Sequence, residues 1–153
     1  MHVESRHLSV YIDRPVAEVY AFASNPANLP RWAPGLGSSV VREQQHWFVE
    51  TPEGRVRVTF APENGHGVLD HEVVTPSGDT VYVPLRAVAA GDGCEVVFTL
   101  RRAPGMTDAE FERTPRWSPA TLPSSRRSSR APPHNVHDRD AGPDLQFWVM
   151  RDP

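Results

Sequence analysis

The sequence predicts an α+β protein: a curved antiparallel sheet, two short helices near the N-terminus, and a C-terminal helix that is started and then cut short. Three observations lead there. Six strand-like runs lie between residues 40 and 102, separated by the turn-like segments "TPEG", "ENGHG", "TPSGD" and "AGDG". Such short connections join antiparallel neighbours, because parallel ones need long crossovers. Two proline-headed helical patterns precede these runs, and a helix-start signature at Thr107 follows them.

Taken in order, residues 3–12 alternate, with Leu8, Val10 and Ile12 on one face and His7, Ser9 and Tyr11 on the other, which predicts a half-buried strand. Asp13 then offers a helix cap and Pro15 falls in the first turn. Val16, Val19, Tyr20 and Ala23 repeat at helical spacing, so a short amphipathic helix follows. Asn25-Pro26 repeats the cap-then-proline signal for a second short helix carrying Leu29 and Trp32. The strand runs are 40–43, 46–50, 55–62, 67–75, 80–89 and 95–102. Alternation gives them an apolar inner face: Trp47 and Val49; Val56, Val58 and Phe60; Leu69, His71 and Val73; Val81, Val83 and Leu85; Val96, Phe98 and Leu100. Arg55, Arg57, Asp70, Glu72, Tyr82, Arg86, Glu95 and Thr99 fall on the opposite, wet face.

An apolar sheet face needs a cover. The natural candidate begins at Thr107, where Thr107 and Glu110 have capping-box spacing and Met106 and Phe111 have that of a hydrophobic staple. Yet Pro115, Pro119 and Pro123 follow at four-residue intervals, and each would cost about 3 kcal/mol inside a helix. Residues 114–153 hold seven of the sixteen prolines, no glutamate, and six Arg against four Asp; residues 1–113 hold ten Arg against fifteen acids. The chain therefore divides at 113 into a folded domain, 1–113, and a Pro/Ser/Arg-rich tail, 114–153, expected to be disordered except at "LQFWVM", residues 145–150.

Composition narrows the function. At 153 residues and 17.0 kDa there is room for one self-sufficient core. A net charge of −3 gives no general reason to expect nucleic acid. Cys94 is the single cysteine, so no internal disulfide can form and a reducing, cytoplasmic setting is expected. No signal-peptide pattern opens the chain, and no run approaches the roughly 18 apolar residues of a membrane span. The seven histidines do not cluster with metal-ligand spacing; His134 and His137 form an isolated H-x-x-H in the tail. Every basic residue is arginine, a sign of GC-rich coding sequence.

The stretches "VYIDRPVAEVYAFASNPANLPRWAPGL", "GVLDHEVVTPSG" and "VYVPLRAVAAGDGCEVVFTLRRAPGMTDAEFER", in that order, resemble the SRPBCC (START-like) superfamily, in particular its small bacterial polyketide cyclase/dehydrase-like members. The resemblance covers most of residues 8–113 and implies the helix-grip fold, with a cavity between sheet and helices. Relatives of this kind continue after the "GMTDAEFER"-like start with a long amphipathic helix; this chain departs at Thr114. A switched reading frame in GC-rich DNA would produce such a tail, and a natural extension is the alternative. In the resembling superfamily such cavities bind lipids, hormones and polyketides, and catalysis, where present, needs no cofactor.

His71 is the one ionisable side chain that alternation places inward, a candidate proton shuttle or anchor for a ligand oxygen, or else a core histidine bonded to backbone. Trp32 and Trp47 would stack on a flat ligand or pack in the core. Val58, Phe60, Val83, Leu85 and Phe98 complete the expected wall. Tyr82 and Arg86 look outward, and Cys94 lacks a partner for thiol chemistry. The expected function is binding of a small hydrophobic or aromatic molecule, with cofactor-independent cyclase-type activity in reach. The alternative is a truncated member that is inactive alone or borrows its cover from a partner or a second copy.

A full covering helix would bury half a dozen large side chains at roughly 1.5 to 3 kcal/mol each, comparable to the net stability of a whole domain. Marginal stability and self-association through the sheet face are therefore expected, with a melting midpoint below about 60 °C by circular dichroism; a cooperative monomeric melt above that contradicts the expectation.

Overall fold

The computed structural model describes residues 3–33, 37 and 39–112. The expectations for the tail, including its disorder, its changed reading frame, the 145–150 run and His134/His137, lie outside the described residues. Strand β1 (Ser5–Ile12) leads into α1 (Val16–Ala23), a 3₁₀ turn (Pro26–Asn28) and α2 (Leu29–Trp32). Strands β2 (Ser39–Glu43), β3 (His46–Thr51), β4 (Gly54–Phe60), β5 (His71–Val74), β6 (Thr80–Val83), β7 (Leu85–Ala90) and β8 (Gly93–Arg101) follow, and α3 (Asp108–Glu112) comes last.

Every strand pair is antiparallel. The strands form two sheets, ordered β1-β8-β7 and β2-β3-β4-β5-β6. Alternation is realised in the packing: Val49, Val56, Val58, Val73, Val83, Leu85, Val96, Phe98 and Leu100 are buried on one face together with Val19, Ala23, Leu29 and Trp32 from the helices. Asn25 caps the 3₁₀ turn as its sequence signal predicts, accepting the Ala27 N–H at 3.1 Å. The cap of α1 differs from expectation: Pro15, with extended ψ, occupies the cap position, and no side chain bonds there.

The run predicted over 80–89 is two strands. Pro84 divides it, because proline has no N–H to give the ladder. The run predicted over 67–75 likewise becomes regular only at His71, yet its first residues keep register with β7. Ala87 N donates to Gly67 O and Leu69 N to Leu85 O, both at 2.9 Å, and Val68 bridges Arg86. Gly67 permits this approach; its φ is +70° and a Cβ there would lie 2.0 Å from Ala87 O.

At Leu69 and Leu85 an antiparallel pair would normally exchange two main-chain bonds. Only one is made. The Leu85 N–H instead donates to Asp70 Oδ1 at 2.8 Å, and the Leu69 carbonyl accepts from His71 Nδ1 at 3.0 Å. Two side chains thus replace one ladder bond at the joint between the sheets. The Asp70 carboxylate also accepts from the Tyr82 hydroxyl and pairs with Arg86. This corrects the assignment of Asp70 to a wet face: it is 5% exposed, because its oxygens are needed against backbone.

Helix α3 is seated by the residues of the staple signature. Met106 and Phe111 are buried in the common core. The Phe111 ring lies under the guanidinium groups of Arg6 and Arg102, at 6.0 and 5.6 Å, and Arg6 Nη1 donates to Phe111 O at 2.7 Å. Arg102 also donates to Met106 O at 3.1 Å and pairs with Glu4 and Asp108. The Glu110 side chain lies outside the described residues.

Asp70→Ala would leave the buried Leu85 amide without an acceptor, costing about 2 to 3 kcal/mol, whereas Glu72→Ala on the exposed side of the same strand should stay within about 0.5 kcal/mol. Urea unfolding of the two variants checks this; equal midpoints would refute the role given to Asp70.

Candidate functional site

The concave face is built from cross-strand rows set by register. Trp47, Val58, Val73 and Val81 form one row across β3, β4, β5 and β6. Phe60, His71 and Val83 form the next. Beyond the joint, Leu8, Phe98 and Leu85 continue the surface on β1, β8 and β7. Alternation therefore brings together Val58, Phe60, His71, Val83, Leu85, Phe98 and Trp47 on one side of the protein, and α2 contributes Trp32 to the same core. They are unequally buried: Trp32, Val58, Val83, Leu85 and Phe98 are buried, while Trp47 and Phe60 are half-buried, as are Leu8, Val10 and Val81.

His71 is the titratable side chain in the second of these rows. It is 6% exposed and stacks on Phe60, with ring centroids 4.8 Å apart. Its Nδ1 bonds the Leu69 carbonyl, so the backbone-bonded reading describes one of its two nitrogens. Burial pushes its pKa down to about 4, with the Leu69 bond pulling weakly the other way. At neutral pH the ring is therefore uncharged.

Sequence reasoning passed over Arg42. Register pairs it with Trp47, which puts it on the concave side at the edge of the sheet, its guanidinium 5.7 Å from the Trp47 ring. The adjacent valines at 40 and 41 hid the phase of that strand. It also set aside Tyr82 and Arg86, which gather on Asp70; Pro84 inside a predicted strand was the available signal. The convex side carries ion pairs, with Arg55 bonded to both Glu43 and Glu50. Among the described residues no three His, Cys, Asp or Glu side chains gather to hold a metal ion. Cys94 is buried and its pKa is raised by burial, which leaves it a thiol. No helix among the described residues is long and apolar enough to cross a membrane.

A family model described as polyketide cyclase / dehydrase and lipid transport matches residues 5–112. No curated protein matches the chain. Among solved structures it is similar to a norcoclaurine synthase point mutant from Thalictrum flavum in complex with a transition-state analogue, at 14% identity and TM-score 0.50, over 67% of this chain and 78% of that one. It is similar to Ara h 8.0201 at 13% identity and TM-score 0.50, over 71% and 85%. A Zhui aromatase/cyclase from Streptomyces sp. R1128 aligns at 16% identity and TM-score 0.44, over 68% and 72%. The likenesses at 0.50 establish the helix-grip fold.

The unfolded chain protonates His71 near pH 6.5, whereas the folded ring stays neutral to about 4. Its stabilising contribution is therefore complete above about pH 6.5 and is lost as pH falls toward about 4, by about 3 kcal/mol in all. Urea unfolding at about pH 7 and about pH 4.5 should show this loss, and His71→Phe should reduce it; an unchanged slope in the variant would remove His71 as its source.

Proposed function

The chain belongs to the polyketide cyclase / dehydrase and lipid transport family, and from that premise we propose that its concave face receives one small hydrophobic or aromatic molecule of polyketide or lipid type. What supports this reading most is that apolar side chains remain half-buried on the inner side of both sheets, Trp47, Phe60 and Val81 on one and Leu8 and Val10 on the other. Apolar side chains left half-open are what a ligand of this class covers, gaining roughly 25 cal/mol for each Å² removed from water. The convex face carries arginine–carboxylate pairs, Arg55 with Glu43 and Glu50, beside the exposed Tyr11, Val41, Tyr82 and Val88.

Cofactor-free cyclase-type turnover is the second reading, favoured by one observation: a neutral imidazole stands between Phe60 and Val83 on the inner face. Confinement would fold a reactive chain, and His71 would move the proton.

Titration with 1-anilinonaphthalene-8-sulfonate should give saturable, single-site fluorescence enhancement. Phe60→Asp, which puts a charge at a half-buried position of the face, should weaken it at least tenfold while the far-ultraviolet circular dichroism is kept. Binding that does not saturate, or that Phe60→Asp leaves unchanged, counts against the cavity. If the protein is a cyclase, His71→Ala should lose turnover and keep binding.

A further inference from the structure

Building on the reading of the concave face as a ligand cavity, we infer that His71 presents a bare Nε2 acceptor to it, so that the preferred ligand carries a hydrogen-bond donor of phenol type at this point. A ligand offering only a carbonyl or ether oxygen there is disfavoured.

The tautomer follows from the joint between the sheets. The Leu69 carbonyl can only accept, so the 3.0 Å contact requires the proton on Nδ1. A neutral imidazole has one N–H, which leaves a lone pair on Nε2. Burial favours that neutral form. Among the described residues Nε2 has no hydrogen-bond partner, in a residue only 6% exposed overall. Its register neighbours, Phe60 and Val83, have nothing to donate. The nearby charges, Asp70, Glu72 and Arg86, belong to residues on the other face of the strands, and Asp70 and Arg86 pair there with each other. Nε2 is not among the fully buried unpaired side-chain atoms, so it keeps access to the face, and a ligand O–H is the partner its lone pair can take. An ether oxygen would set lone pair against lone pair.

The same geometry orders any proton movement. With its proton on Nδ1 held by the Leu69 carbonyl, Nε2 has a lone pair and no proton, so it can accept a hydrogen bond from a ligand hydroxyl and has nothing to donate until it has taken a proton. His71 thus begins as base rather than acid.

The full chain is titrated with two matched probes, 1-naphthol and 1-methoxynaphthalene, followed by tryptophan quenching. The wild-type protein should favour the naphthol about tenfold, and His71→Phe should bind the two within about twofold of each other. Equal affinities in the wild-type protein overturn this inference and leave the cavity standing; failure of both probes to bind overturns inference and cavity together. Long-range ¹H–¹⁵N spectra of the wild-type protein test the tautomer independently of the variant's folding. A proton on Nδ1 supports the assignment, and one on Nε2 overturns it.

Discussion

The structure turns on a main-chain bond that is not made. Where Leu69 meets Leu85, the second bond of the antiparallel pair is absent, and the Asp70 carboxylate and the His71 ring take up the donor and acceptor it leaves behind. The neighbouring Pro84 separates β6 from β7, so the chain passes from one sheet to the other at this point. Unsatisfied backbone groups at such depth would each be expensive, and side-chain substitution lets the sheet bend without leaving them orphaned.

That one joint links fold to chemistry. Asp70 faces the convex side, where Tyr82 and Arg86 gather on it, and its charge is answered there. His71 faces the concave side, where everything beside it is apolar. The same local defect therefore explains why two ionisable residues adjacent in sequence are both buried, and why one is structural while the other keeps a nitrogen available. A histidine with both nitrogens satisfied by protein would have been inert; one with neither satisfied would have had no defined orientation.

The helix stub is a second point of order. Its anchoring comes from burial of Met106 and Phe111, since the arginine pairs around it are partly solvated and each contributes little. Arg6 and Arg102 contribute their planar groups over the Phe111 ring and their donors to the carbonyls of Met106 and Phe111. This ties the end of the meander to β1, closing the strand order at the edge where the chain began.

Strand periodicity, turn residues and proline-headed helices were enough to read the meander, both short helices, the start of α3 and the inward side of Val58, His71, Val83 and Phe98, because each of these rests on local pattern repeated over several residues. Trp47 and Phe60 were read as wall but only tertiary packing left them half-buried. Arg42 escaped because two adjacent valines give no phase; its position was decided by pairing with Trp47. Asp70 was misread because alternation reports which way a side chain points and says nothing of whether a backbone amide waits there. The sequence by itself determined the class of fold and the apolar face, through periodicities of two and 3.6 residues. Only the tertiary structure decided the break at Pro84, the burial of Asp70 and the tautomer of His71, since all three depend on which main-chain bond strands distant in sequence fail to make.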